Sequence, residues 1–152
     1  LALETHALVA ETPQEALAGA DVVCTTTSSA EPIIQRAWLE PGTHLNAVGS
    51  SVRWARELDG ETVAACSLFV DRRESTLNES GDYLLALEEG RIDGGHIRAE
   101  LGELLTGKHP GRQDDSELTL FKSLGLGAED LVAAELCLER ARERGIGTEV
   151  AL

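Results

Sequence analysis

The chain has 152 residues, a net charge of −14 and a hydrophobic fraction of 42%, a composition typical of a folded globular domain and not of a disordered segment. Its 27 acidic residues outnumber 13 basic ones, so the sequence argues against a nucleic-acid partner and against an anionic membrane surface. No apolar run reaches the ~20 residues that a membrane-spanning helix requires.

Strands and short helices alternate along the first half of the chain. We predict a possible strand over residues 7–10, then a helix over Pro13–Leu17 that Thr12 caps and Gly19 ends. The β-branched run of residues 21–27 predicts a strand that is buried on both faces. Similar patterns predict three further elements: a short helix over 32–39 and buried strands over 43–49 and 67–71.

The second half of the sequence is more helical. Apolar spacing predicts one helix over residues 74–87, which Gly81 weakens, and another that carries Ile97, Leu101, Leu104 and Leu105 on one face and ends at Gly107. The clearest helix has an acidic first turn and a basic last turn, followed by Gly145. The remaining predicted elements are a strand over 118–124, this clearest helix over 128–144, and a possible final strand over 148–152.

The alternation of buried strands with helices predicts an α/β fold with a mainly parallel sheet. Ligands of such sheets bind beyond the carboxyl ends of the strands. Residues 25–29 and 48–51 each follow a predicted strand, so the sequence places a candidate ligand site there.

Two glycine motifs resemble phosphate-binding loops. Gly102 to Lys108 matches most of G-x-x-x-x-G-K, but His109 stands where Mg²⁺ binding needs Ser or Thr, and we interpret the motif as a helix and its end. Gly125-Leu-Gly127 does follow a strand and open a helix, but Asp130 replaces the third glycine of a dinucleotide fingerprint. We favour a tight turn over phosphate binding here, and contact with a neutral part of a ligand remains open.

The cysteines and histidines predict no metal site. Cys24, Cys66 and Cys137 lie far apart without a CxxC pair, and the four histidines show no metal-ligand spacing. We expect three buried free thiols in a reducing compartment, and therefore a cytoplasmic protein.

Several motifs occur in a fixed order along the chain. The long ones are Ala20–Ser29 (ADVVCTTTSS), Trp38–Gly49 (WLEPGTHLNAVG) and Phe121–Gly125 (FKSLG), the last with Glu129 and Asp130. Shorter segments lie between them: Arg56–Asp59, Phe69–Asp71, Glu79–Asp82 and Ala99–Glu103. In this order they resemble the ornithine cyclodeaminase/μ-crystallin family, from about Ala7 to the end of the chain.

The resemblance implies an NAD(P)-dependent protein that transfers a hydride to or from a carbon bearing an amino or imino group. The implied cofactor is NAD or NADP, the substrate a small amino or imino acid, and the assembly a homodimer. The resemblance also implies that the chain is the C-terminal half of a member. Residues 1–120 then form the later part of a Rossmann-type NAD(P)-binding domain with a partial parallel sheet, and residues 121–152 return to the substrate and dimerisation domain.

Residue roles follow from the same resemblance. Ser51 stands where ornithine cyclodeaminases have a catalytic Asp after a Val-Gly-Gly turn, and a hydroxyl cannot replace a carboxylate base near neutral pH. A dehydrogenase or ketimine reductase is therefore favoured over a cyclodeaminase. The implied cofactor-binding residues are Thr25, Thr26, Thr27, Ala47, Val48, Gly49 and Ser123, and the implied substrate-binding residues are Leu124 and Gly125.

Two alternatives stay open: a non-catalytic dinucleotide or small-ligand binding protein of μ-crystallin type, and an inactive truncated fragment. We expect Lys122 to be exposed to solvent, and we interpret Asp82, Glu88 and Glu89 as part of a solvated face.

Overall fold

The computed structural model describes residues 7–150, within which five strands form one parallel sheet. The strands are Val22–Thr25 (β1), His44–Ala47 (β2), Ser67–Val70 (β3), Ile97–Glu100 (β4) and Thr119–Lys122 (β5). Their order across the sheet is β1-β2-β5-β3-β4, so the strand that comes last in the chain lies at the centre. The predicted α/β fold with a parallel sheet is confirmed.

Helices occupy most of the connections between the strands. In the described part of the chain they are Pro13–Leu17 (α1), Gly60–Ala65 (α2), Arg73–Glu79 (α3), Gly81–Glu88 (α4), Leu101–Leu105 (α5) and Gly127–Arg144 (α6), with a 3-10 turn at Arg36–Trp38. None of the helices within residues 7–150 combines the length and the apolar character that a bilayer span requires.

One face of the sheet carries the hydrophobic core. Val23, Leu45, Leu120 and Leu68 stand side by side in one row across four strands, and all four are buried. Side chains of α2 and α4 complete the same core, with Tyr83 only 1% exposed. Burying such residues is the main favourable contribution to the stability of the fold.

The other face is only partly covered. Phe69 of β3 is buried there under the segment that follows α5, where the His109 ring meets it edge-on. Val22 is 59% exposed and Cys24 is also exposed, because no element of the described chain packs over this end of the sheet. The prediction that β1 is buried on both faces is therefore wrong.

Six predicted elements are confirmed with small differences at their ends: α1, β1, β2, β3, β5 and α6. At α1 the Thr12 hydroxyl accepts a hydrogen bond from the Glu15 amide at 3.2 Å, as an N-cap residue does. The local structure predicted for both glycine motifs is confirmed. Gly102 lies inside α5 and Gly107 follows its end, while Gly125 makes the turn between β5 and α6.

Three helix predictions need correction. The predicted helix over 32–39 shrinks to the 3-10 turn, because the amides of Ile33 and Ile34 donate to the Glu57 carbonyl at 2.8 and 3.0 Å and hold the chain extended. The predicted helix over 74–87 is two helices, with a break at the buried Ser80 that caps α4. Ile97 belongs to a strand, β4, and only the residues after it are helical.

The predicted terminal strands are absent where the structure describes the chain. Residues 7–10 form no strand, and the side chains of Leu8 and Val9 are 98% exposed. Residues 148–150 form none either, and residues 151 and 152 of that prediction lie outside the described residues.

The prediction of three buried thiols is correct only for Cys66. Cys24 and Cys137 are exposed, since one lies on the uncovered face of β1 and the other on α6, where no residue is buried. Burial raises the pKa of the Cys66 thiol to about 12. The described residues contain no group of three or more His, Cys, Asp or Glu side chains placed to hold a metal ion.

Candidate functional site

The predicted site segments meet at the carboxyl edge of the sheet, because β1, β2 and β5 are neighbours. The Val48 amide donates to the Thr25 carbonyl at 3.0 Å, which ties the end of β2 to the end of β1. The Ser123 amide donates to the Ala47 carbonyl at 3.1 Å, which ties β5 to β2. Residues 25–27, 47–51 and 123–125 therefore form one continuous surface, which we call the carboxyl edge.

Gly49 sits where the β1 and β2 ends approach most closely. A Cβ atom at this position would overlap the Thr27 carbonyl oxygen and Glu57 Oε1, and would lie 2.5 Å from the Thr27 amide nitrogen. Only glycine allows this approach of two backbones.

The two serines after Gly49 differ in their surroundings. Ser50 is buried with a positive φ of 49°, and its hydroxyl donates to the Ser29 carbonyl. Ser51 is exposed at the carboxyl edge. The position that the sequence singles out as the substituted catalytic residue is thus open to a ligand.

A fully buried carboxylate, Glu57, lies beneath this turn. Its Oε2 accepts a hydrogen bond from the Thr25 hydroxyl at 2.6 Å, and its Oε1 accepts one from the Thr27 amide at 2.6 Å. The Thr25 hydroxyl is therefore engaged inside the protein, whereas Thr26 and Thr27 are exposed.

Lys122 and Asp82 form a buried ion pair, which contradicts the prediction that each is exposed. They are 1% and 2% exposed, with Lys122 Nζ 3.0 Å from Asp82 Oδ2. Lys122 Nζ also donates to the Gly49 carbonyl at 2.6 Å, and Asp82 Oδ1 accepts from the amides of Glu57 and Leu58 at 2.9 and 3.0 Å. Glu88 and Glu89 are exposed as predicted.

Asp71, directly after β3, holds residues 123–125 in place through hydrogen bonds. Its Oδ2 accepts hydrogen bonds from the amides of Leu124 and Gly125, both at 2.7 Å, and from the Ser123 hydroxyl at 3.3 Å. Gly125 has a φ of +84°, which lets the chain turn around this carboxylate.

The sequence patterns assign no site role to Glu57 or Asp71, and they favour exposed positions for Asp82 and Lys122. A signal existed for Lys122, because side chains two apart in a strand share a face, and Leu120 is a core residue. A signal also existed for Asp71, an acid that directly follows a buried strand at the ligand-binding edge. Glu57 and Asp82 are brought to the site by tertiary packing, and the sequence carries no local signal for them.

The predicted site residues divide into buried supports and accessible groups. Thr25 and Ala47 are buried, and Gly49 is half-buried. Ser123 and Leu124 are half-buried as well, and the exposed residues are Thr26, Thr27, Val48, Ser51 and Gly125. They offer hydroxyl and apolar groups without a cation, a chemistry that suits a ribose or a neutral ring better than a phosphate.

Comparisons with known proteins find relatives that match most of this chain. The profile of the ornithine cyclodeaminase/mu-crystallin family matches residues 2–145. The ketimine reductase mu-crystallin of Mus musculus is 48% identical over 128 residues, which are 84% of this chain and 38% of that protein.

Two solved structures share the fold. The Delta(1)-pyrroline-2-carboxylate reductase of Thermococcus litoralis, in complex with NADH and L-proline, superimposes with a TM-score of 0.84 at 47% identity, covering 93% of this chain and 44% of that one. An archaeal alanine dehydrogenase dimer with bound NAD gives a TM-score of 0.78 at 31% identity, with the same two coverages. The chain thus spans less than half the length of these relatives.

Proposed function

The chain belongs to the ornithine cyclodeaminase/mu-crystallin family, and we propose that its carboxyl edge binds the nicotinamide part of NAD(P) in a reductase or dehydrogenase of small amino and imino acids. When bound, the cofactor supplies or accepts the hydride, and the protein positions the two reactants.

The observation that carries the proposal is the convergence of three segments at one neutral edge. Thr26, Thr27 and Val48 are exposed near Gly49, Ser123 is half-buried at the end of β5, and we assign all four to the cofactor. Thr25 and Ala47 support them from below, and Leu124 and Gly125 face the substrate in this proposal. Support comes from similarity to structures that hold NADH or NAD.

Ser51 favours reduction over cyclodeamination. Its hydroxyl is exposed at the edge, but a serine does not act as a carboxylate base near neutral pH. We therefore expect turnover with cyclic imines, or with a 2-oxo acid and ammonia, and none with ornithine.

We also propose the domain organisation and assembly. Residues 1–120 form the later part of the dinucleotide-binding domain, and residues 121–152 return to a substrate and dimerisation domain. A homodimer is supported by the dimeric archaeal alanine dehydrogenase. Three free cysteines support a reducing, cytoplasmic location.

The test is an assay of the gene product that carries this chain. Loss of NAD(P)H absorbance is followed with cyclic imino acids and with 2-oxo acids plus ammonia, and ornithine is offered with NAD. We expect reductase turnover, and a fall in kcat/KM of about 10²-fold in Gly49→Ala, since the added methyl displaces the turn.

Gly102→Ala is the matched control, because a Cβ at Gly102 meets no atom within 4 Å. We expect it to retain full activity. Cofactor binding without turnover over the whole panel would favour the non-catalytic alternative, and absence of cofactor binding would refute the proposal.

A further inference from the structure

One buried charge lies directly under the carboxyl edge. Lys122 shares a row across the sheet with Ala47 and Val70, both fully buried. An ammonium in such a row is costly to desolvate, and an apolar side chain of similar volume is often at least as stable there. The contacts of Lys122 therefore point to a task other than filling the core.

The first contact is with the turn at Gly49. The amides of Val48, Gly49 and Ser50 already donate to carbonyls at the end of β1, at 3.0 to 3.2 Å. Lys122 Nζ donates a hydrogen bond to the Gly49 carbonyl of the same turn at 2.6 Å. The turn is thus held through its amides from one side and through a carbonyl from the other.

The second contact links the turn to the rest of the site. Asp82 Oδ2 forms the ion pair with Lys122 Nζ, and Asp82 Oδ1 accepts hydrogen bonds from the amides of Glu57 and Leu58. The Glu57 side chain in turn accepts hydrogen bonds from the Thr25 hydroxyl and the Thr27 amide. One continuous set of charged contacts therefore joins the ends of β1, β2 and β5.

We propose that Lys122 is a positioning residue of the nicotinamide edge, which acts through the Gly49 carbonyl, with Asp82 as its counter-ion. The inference rests on the proposed function of the carboxyl edge. Lys122 itself contacts no ligand. It fixes the position of the Val48–Ser51 turn, against which the nicotinamide ring is held, and it directly precedes Ser123 in the chain.

The test compares Lys122→Met with the double variant Lys122→Met/Asp82→Asn in the gene product. The single variant leaves the Asp82 carboxylate buried without a cation, so it should lose stability. The double variant removes both charges and should recover stability, but the Val48–Ser51 turn still lacks the hydrogen bond to its Gly49 carbonyl. We expect the double variant to keep kcat/KM at least about tenfold below wild type.

A second measurement does not depend on activity. Hydrogen exchange of the hydrogen-bonded amides of Val48, Gly49 and Ser50 should accelerate in both variants, at least about tenfold, because the turn opens more often. A matched control removes the exposed ion pair of Arg91 and Glu61, 3.4 Å apart, by Arg91→Met/Glu61→Gln, and should change neither readout.

Two results would overturn the inference: recovery of both stability and kcat/KM in the double variant, or unchanged exchange at the amides of Val48, Gly49 and Ser50. Failure of the wild-type gene product to bind NAD(P) would instead refute the proposed function, and the exchange measurement would still decide whether Lys122 positions the turn.

Discussion

Lys122 and Cys66 are both ionisable and buried, but their surroundings compensate for the loss of hydration in different ways. Lys122 keeps a carboxylate partner at 3.0 Å and a carbonyl at 2.6 Å, so its environment is polar although it is nearly inaccessible. Cys66 is 2% exposed in the core cluster, and loss of hydration raises its thiol pKa to about 12. The first residue shapes the site, and the second behaves as a small apolar side chain.

The thiol reactivity of the folded chain follows from this difference. We expect Cys24 and Cys137, which are exposed, to react promptly with a disulfide reagent near pH 8, and Cys66 only after unfolding. Because the pKa of Cys66 rises from 9.0 to about 12 on folding, its contribution to stability holds below pH 9 and is lost as the pH rises towards 12.

Thiol titration with and without urea measures how fast each cysteine reacts. Unfolding curves from pH 8 to alkaline pH measure the loss of stability. Cys66→Ala should abolish the slow thiol and flatten the alkaline decline. Three fast thiols in the native chain would contradict the burial of Cys66.

At the scale of elements, the sequence predicted those with a strong local pattern. The 18 residues of α6 combine an acidic start, a basic end and a terminal glycine, and the buried strands read as apolar runs. The helix α2 was missed because Gly60, Thr62 and Val63 are poor helix formers, and its start depends on the Asp59 side chain, which accepts from the Thr62 amide at 2.7 Å.

The same reasoning explains the errors at β4 and at the site. Four residues of β4 run straight into α5, so the spacing of Ile97 and Leu101 imitates one helical face. The carboxyl edge was predicted because it depends on strand ends, which local patterns reveal. The buried ion pair beneath it was not predicted, because Asp82 and Lys122 lie 40 positions apart in the chain and meet only through the packing of α4.

The start of α4 gives a prediction at this scale. A Cβ at Gly81 would overlap the Ala55 carbonyl oxygen and lie 2.6 Å from that of Val52, both backbone atoms that cannot yield as a side chain does. We expect Gly81→Ala to lower the free energy of unfolding by about 2 kcal/mol or more, although alanine favours helices elsewhere.

Chemical denaturation measures the effect, with Gly102→Ala in α5 as the comparison because that position opens onto free space. The comparison variant should be neutral or stabilised by up to about 1 kcal/mol. Equal unfolding midpoints for the two variants would show that α4 does not pack against the 52–55 segment as described.

At the scale of the whole molecule, α6 stands apart from the sheet. No residue of this helix is buried, and Leu131, Val132, Leu136 and Leu138 are 50% to 70% exposed. Such a concentration of exposed apolar side chains marks an interaction surface, in keeping with the proposed return of residues 121–152 to a second domain.

A chain that ends after Gly125 should therefore unfold at the same urea concentration as the full chain. An isolated helix of this length is marginal in water, so the helical signal of α6 should decline gradually on heating, outside the cooperative transition of the sheet. Circular dichroism of both chains makes the comparison. A lower midpoint for the shorter chain would mean that α6 stabilises the sheet.

The central place of β5 also dictates when the sheet can form during synthesis. β2 and β3 do not pair with each other, and each pairs with β5. Until Lys122 has left the ribosome, no strand joins the β1-β2 pair to the β3-β4 pair. A β5 strand from another copy of the chain has the same sequence and would fit the same gap, so we expect neighbouring molecules to exchange this strand in crowded polysomes and in concentrated refolding mixtures.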